Sequence, residues 1–142
     1  MLMGVINMRK FKFRGWDTQE CEMFSNEDIN SLNFRDYLVR VDGEGYSYFA
    51  NITDDDFILM QFTGVKDTNK NEIYEGDICK VIYGDIEGNP FDHICTRKVV
   101  YKGAGFKLLD DSDGIETYSS LVDRDICSIE VIGNIYEGVM ND

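Results

Sequence analysis

The chain has 142 residues, 43% of them hydrophobic and 13% aromatic, and a net charge of −13 from 14 basic and 27 acidic side chains. Length and apolar content support one packed domain, or two small units sharing a core, and exclude wholesale disorder. The charge argues against direct binding to nucleic acid, whose affinity rests on Lys and Arg neutralising phosphates; it serves solubility alone or, as the alternative, attracts a basic protein partner.

The pattern along the chain has period two rather than 3.6, which predicts strands. Met1 to Met8 is apolar but lacks the basic region and small-residue cleavage site of a signal peptide. No apolar run approaches the roughly 20 residues of a membrane-spanning helix. These two features point to a cytoplasmic protein with no membrane partner. Lys10 to Arg14 alternates base and Phe, so Phe11 and Phe13 are expected inward and the bases outward. Gly15 to Thr18 turns the chain, and Glu20 to Phe24 reads as a hairpin partner. Ser25 and Asp28 have the form of a capping box opening a short helix. Tyr37 to Val41 and Tyr46 to Ala50 flank the turn Asp42-Gly43-Glu44-Gly45. Phe57 to Phe62 is apolar except for Gln61, as in a strand covered on both faces.

The second half carries strands expected at Asp77–Tyr83, His93–Tyr101, Phe106–Leu109, Ile115–Tyr118 and Cys127–Ile132. Gly84 to Asp92 is expected as a loop, Asp111 to Gly114 as a tight turn and Ser119 to Asp125 as one helical turn. Ile135 to Glu137 closes the series. Short strands at such spacing, with a helical turn before the last, predict a small antiparallel SH3-like barrel. The fold class is therefore mainly β with minor α: an N-terminal β-hairpin subdomain over 8–58, then 59–142 as a barrel.

Four cysteines, Cys21, Cys79, Cys95 and Cys127, form no close pair. An even count permits disulfides only in an oxidising compartment. The last three lie in apolar runs and are expected as buried free thiols. A Ser-His-Asp or Cys-His site would have to use His93, the single histidine. Cys95 stands two residues on, about 6.5–7 Å away along a strand, which is loose for a nucleophile and its base. Zinc would need partners for His93 and Cys95 from elsewhere. Asp110 to Gly114 resembles a calcium loop, but Leu109 falls where that loop requires a carboxylate. Asp54, Asp55 and Asp56 are adjacent, so their side chains diverge rather than converge on magnesium. Glu75 and Asp77 share a strand face and are the remaining acid/base candidates.

Three segments carry a resemblance. Met8-Arg9-Lys10-Phe11-Lys12-Phe13-Arg14-Gly15-Trp16-Asp17 opens the set. Leu59 to Val81 follows, including Gln61-Phe62-Thr63-Gly64 and Ile73-Tyr74-Glu75-Gly76-Asp77-Ile78. Val131-Ile132-Gly133-Asn134-Ile135-Tyr136-Glu137 closes it. In this the chain resembles the YopX proteins of bacteriophages and prophages. Met8 then matches the family's usual first residue, and residues 1–7 read as an extension. The resemblance implies a mainly β protein with an SH3-type C-terminal part, of phage or prophage origin and acting in the cytoplasm of a bacterial host. It implies no catalytic residue and no cofactor.

The motifs also read as architecture. Gly64 and Gly76 supply bends closed to other residues, and Asp77 caps free backbone N–H groups at a corner. The resulting expectation is a non-catalytic accessory protein that binds a host or phage protein. A basic nucleic-acid-binding protein is the sharper candidate, engaged through Asp54, Asp55, Asp56, Asp110, Asp111, Asp113, Asp123 and Asp125. Two alternatives stand beside it. One is a structural homo-oligomer packed through Trp16, Tyr46 and Tyr48. The other is an enzyme using Glu75, Asp77 or His93.

Overall fold

The computed structural model describes residues 10–84 and 90–140, with side chains for all of these except 90–93. The expected extension over 1–7 and the side chain of His93 lie outside the described residues. Among the described residues thirteen strands run antiparallel in three sheets: β1 (Phe13–Asp17), β2 (Glu22–Phe24), β3 (Ile29–Asn33), β4 (Leu38–Gly43), β5 (Tyr46–Asn51), β6 (Phe57–Lys66), β7 (Glu72–Tyr74), β8 (Asp77–Gly84), β9 (Pro90–Tyr101), β10 (Phe106–Asp110), β11 (Thr117–Ser119), β12 (Ile126–Asn134) and β13 (Gly138–Val139). The mainly β expectation is met. Among the described residues the helical content is a single 3-10 turn, Asn26–Asp28, where Ser25 N–H donates to the Asp28 carboxylate at 3.1 Å.

The first sheet has the order β2-β1-β6-β7, and the second β3-β4-β5. They face each other across Phe24, Val39, Val41 and Phe57, with Leu32, Tyr48, Ala50 and Leu59 at the margin. β6 lies in register with β1, Trp16 opposite Ile58 and Asp17 opposite Phe57. Phe57 to Phe62 is not exposed anywhere, which is why its pattern lacks the alternation of a half-buried strand. Gly15 belongs to this contact, since a Cβ there would collide with the Phe57 ring.

The third sheet, β11-β10-β9-β8-β12-β13, curls into a half-barrel around Cys79, Val81, Val99, Leu108 and Ile129. Ile73 of β7, Val65 of β6 and Leu121 cover its inner face. β6 thus contributes Phe57 and Leu59 to one core and Val65 to the other. The expected division at 58/59 falls inside this strand.

Several local expectations change. β1 begins at Phe13, Phe11 is 66% exposed, and Arg14 turns inward instead of outward. The reason is Asp77, which offers Arg14 a buried counter-charge at 2.8 Å. Residues 120–125 form turns and no helix: Ser120 Oγ accepts from Val122 N–H and Asp123 Oδ1 from Asp125 N–H, so side chains satisfy the N–H groups locally. Pro90 to Asp92 belong to β9 and so shorten the expected loop. Ile135 to Glu137 is a turn, and the last strand follows it.

The four cysteines form no disulfide with one another. Cys79 and Cys95 are buried, but Cys79 stands opposite Arg97 and Cys95 opposite Val81, so the two do not face each other. Cys127 is exposed, contrary to expectation, because the β12 register slips between Ile126 and Ser128 and leaves it in a bulge. Burial pushes the Cys79 thiol up to about 12, with Asp77 and Asp67 adding to it. A thiol-specific reagent should therefore modify Cys21 and Cys127 in the native protein and reach Cys79 only on unfolding. Labelling followed by peptide mass mapping checks this.

Candidate functional site

The three segments that carry the resemblance meet where the half-barrel joins the first sheet. Asp77, 1% exposed, accepts the Tyr74 N–H at 2.7 Å and takes Arg14 as its charge partner. Asp77 Oδ1 and Arg14 Nε lack an aligned hydrogen bond, so this side of the contact is electrostatic. The guanidinium lies 4.9 Å from the Tyr74 ring centre and donates to the Glu75 carbonyl at 3.2 Å. Burial raises the Asp77 carboxyl above its ordinary range, and the Arg14 charge opposes that rise only in part. Between them Gly76, at φ +88°, donates to Val99 O and accepts from Ile135 N–H. A Cβ there would press on Met60 Sδ at 3.0 Å.

Two further side chains fasten turns at this seam. Asp67, also buried, accepts from the N–H groups of Asn69, Asn71 and Val131. It therefore ties the β6–β7 turn to β12. Asn134 Oδ1 accepts from Tyr136 and Glu137 N–H, which presents Tyr136 for stacking on Trp16 at 5.7 Å. Trp16 is only 9% exposed, so it is a packing residue and not the outward aromatic expected for self-association.

As an acid/base pair, Glu75 and Asp77 are poorly placed: Asp77 is enclosed, and Glu75 Oε1 faces the Gln61 N–H at 3.4 Å. Among the described residues no group of three or more His, Cys, Asp or Glu side chains converges as metal ligands do.

The predicted acidic residues separate into different environments. Asp110 pairs with Arg97 at 3.3 Å and Asp111 with Lys98 at 3.4 Å, so both are partly neutralised. Asp113 accepts the Ile115 N–H inside the β10–β11 turn. Asp123 and Asp125 hold the turn before β12, whose Asp125 carbonyl accepts from Gly84 N–H. Asp54, Asp55 and Asp56 are exposed together on the β5–β6 connection.

That connection is joined to the β1–β2 turn. Thr18 N–H donates to the Asp56 carbonyl at 3.0 Å, and Thr18 Oγ1 to the Asp55 carbonyl at 2.9 Å. Gln19 Nε2 reaches the Asp56 carboxylate at 3.1 Å. The join fastens the Asp54–Asp56 loop to the turn that carries Glu20, a coupling that sequence reasoning missed. The signal was present as acidic residues in a hairpin turn, but nothing in the pattern names β6 as the partner of β1.

Next to this junction lies a cleft of about 520 Å³ lined by Asp17, Glu20, Glu22, Tyr46 and Tyr48. Its lining carries three carboxylates and no basic side chain. Tyr46 and Tyr48, two apart on β5, share a face and stack with ring centres 6.1 Å apart. Tyr48 Oη donates to Asp17 Oδ2 at 2.8 Å, and Tyr46 Oη to Glu22 Oε2 at 3.2 Å. Burial and the Asp17 charge drive the Tyr48 hydroxyl far above its ordinary range, so it remains a neutral donor. Asp17 also accepts from Gln19 and Glu20 N–H, which makes it the fixed floor of the cleft.

A family model described as YopX protein matches residues 12–139. The chain belongs to the YopX family. Two solved structures share this YopX fold. The structure of protein EF1440 from Enterococcus faecalis has 25% identity and a TM-score of 0.58, covering 91% of this chain and 95% of that one. The structure of protein yopX from Bacillus subtilis has 18% identity and a TM-score of 0.61, covering 91% and 94% respectively. No curated protein matches the sequence. No helix among the described residues is long and apolar enough to cross a membrane.

Two stability predictions follow from these contacts. Arg14→Met should cost about 3 kcal/mol in chemical denaturation, because it leaves a buried carboxylate without its counter-charge. The Asp77 pKa is already raised in the folded state, so the native state binds a proton more readily than the unfolded chain. The deficit of R14M should therefore be full at neutral pH and shrink as pH falls through the folded pKa. Tyr48→Phe should cost about 1 kcal/mol by the same measurement, through loss of the donor to Asp17.

Proposed function

We propose that this YopX-family protein is a non-catalytic phage or prophage accessory protein. It acts in the cytoplasm of a bacterial host by binding a basic surface on another protein. The observation that supports this best is the coupling of the acidic Asp54–Asp56 loop to the β1–β2 turn, beside a tyrosine-walled cleft that Glu20 and Glu22 line and whose lining has no base. A net charge of −13 adds a long-range attraction for cationic partners.

In its sharper form, the partner is a host nucleic-acid-binding protein, such as a defence nuclease. Outward carboxylates on a rigid β scaffold offer it the negative charge that it reads on a phosphate backbone, and so block its site. Arg14, Asp67, Asp77 and Asn134, in the segments that carry the family resemblance, support a structural rather than a chemical role, because all are engaged in holding turns and strands together.

The test is capture from bacterial lysate on immobilised protein, eluted with rising salt. Basic proteins should bind at low salt and leave as salt screens the charges. The triple variant Asp54→Asn, Asp55→Asn, Asp56→Asn should lower the retained amount and the salt needed for release. Capture of no basic protein at low salt overturns the reading.

A further inference from the structure

Sheet edges are ordinarily shortened, bulged or charged, because an open row of backbone N–H and C=O groups invites another strand. Most edges here follow that rule. β2, β7 and β11 have three residues each, β13 has two, and β3 is bulged between Ile29 and Ser31. β5 does not. It is the longest edge strand, Tyr-Ser-Tyr-Phe-Ala-Asn, with an unbroken register against β4, no charged residue and no proline. Among the described residues β4 is its only strand partner. Phe49, at its middle, is 67% exposed.

The loops at both ends of this edge are acidic, and the nearest base, Arg40 of β4 opposite Phe49, is paired with Asp42 at 3.2 Å. Glu44 precedes it in the β4–β5 turn, and Asp54–Asp56 follow it. The acidic cleft lies against Tyr46 and Tyr48 on its inner face. We propose that β5 is a docking strand: an extended basic segment of a partner protein adds to its free edge and places a basic side chain in the cleft of Asp17, Glu20, Glu22, Tyr46 and Tyr48.

The geometry favours this occupant. In an added strand alternate side chains fall on the same face as Tyr46 and Tyr48. An arginine there meets the Glu20 and Glu22 carboxylates and the tyrosine faces, both of which suit a guanidinium. The intervening side chains lie beside Phe49, so apolar residues fit between the bases. A second copy of the chain fits badly. Antiparallel pairing of β5 with itself would set Glu44 of one copy towards Asp54–Asp56 of the other, between two molecules each carrying −13. The proposal deepens the reading of an acidic binding protein and rests on it.

The probe is a fluorescent peptide as long as β5 that alternates arginine with valine, and the measurement is anisotropy with the full chain. A matched peptide with alternate backbone nitrogens methylated keeps every side chain and charge but loses the N–H donors. The unmodified peptide should bind at least about tenfold more tightly than the methylated one, as the loss of two or three backbone hydrogen bonds requires. It should also slow amide exchange across Tyr46–Asn51. The variant Glu20→Gln with Glu22→Gln, with its fold checked by circular dichroism, should weaken binding about tenfold.

Equal affinity for the two peptides overturns the docking strand and leaves the broader reading intact, since charge attraction then suffices. Absence of binding by either peptide also overturns it. If lysate capture of basic proteins persists, the failure is confined to β5, and if capture fails too, both readings fall. A concentration-dependent dimer that protects the β5 amides overturns it in favour of self-association.

Discussion

The contact between Arg14 and Asp77 holds the two parts of the molecule in one frame. Arg14 comes from the first strand and Asp77 from the first residue of the half-barrel's β8. Burying a single carboxylate would cost several kcal/mol, so the pair, the Tyr74 N–H and the tyrosine ring have to arrive together. Around them Gly76 passes hydrogen bonds to both β9 and the turn after β12. The segments that carry the family resemblance thus encode a joint, and a joint constrains shape without prescribing chemistry.

The same device recurs with different partners. Asp67 and Asp17 are buried carboxylates that accept main-chain N–H groups of tight turns. Each fixes a turn to something else: Asp67 to β12 through Val131, and Asp17 to β5 through Tyr48. An acidic composition therefore has two roles in this chain. Some carboxylates are internal acceptors that order the backbone, and others remain as an outward field at Glu20, Glu22 and Asp54–Asp56.

Local signals in the sequence carried much of the fold. The bend at Gly76, the capping by Asp77, the Ser25 box and most strands follow from backbone preferences within a few residues, and those are what a sequence displays. The failures share a different cause. Arg14 was expected outward because alternation says nothing of a counter-charge on a distant strand. Cys127 was expected inward because a bulge resets the period without a compositional mark. Residues 120–125 form turns where one helical turn was expected, since Ser120 and Asp123 satisfy the local N–H groups. The acidic junction was half legible. Asp54–Asp56 stood out as a run, whereas the turn that carries Glu20 joins them only through the pairing of β1 with β6.

That pairing has a consequence during synthesis. β1 leaves the ribosome long before Phe57 to Gln61, the residues it must lie against. Until then Gly15 and Trp16 have no neighbouring strand on that side. Non-local closure of this kind makes for slow folding. The nascent chain must carry an exposed aromatic strand until its partner emerges, a span in which chaperone protection matters most.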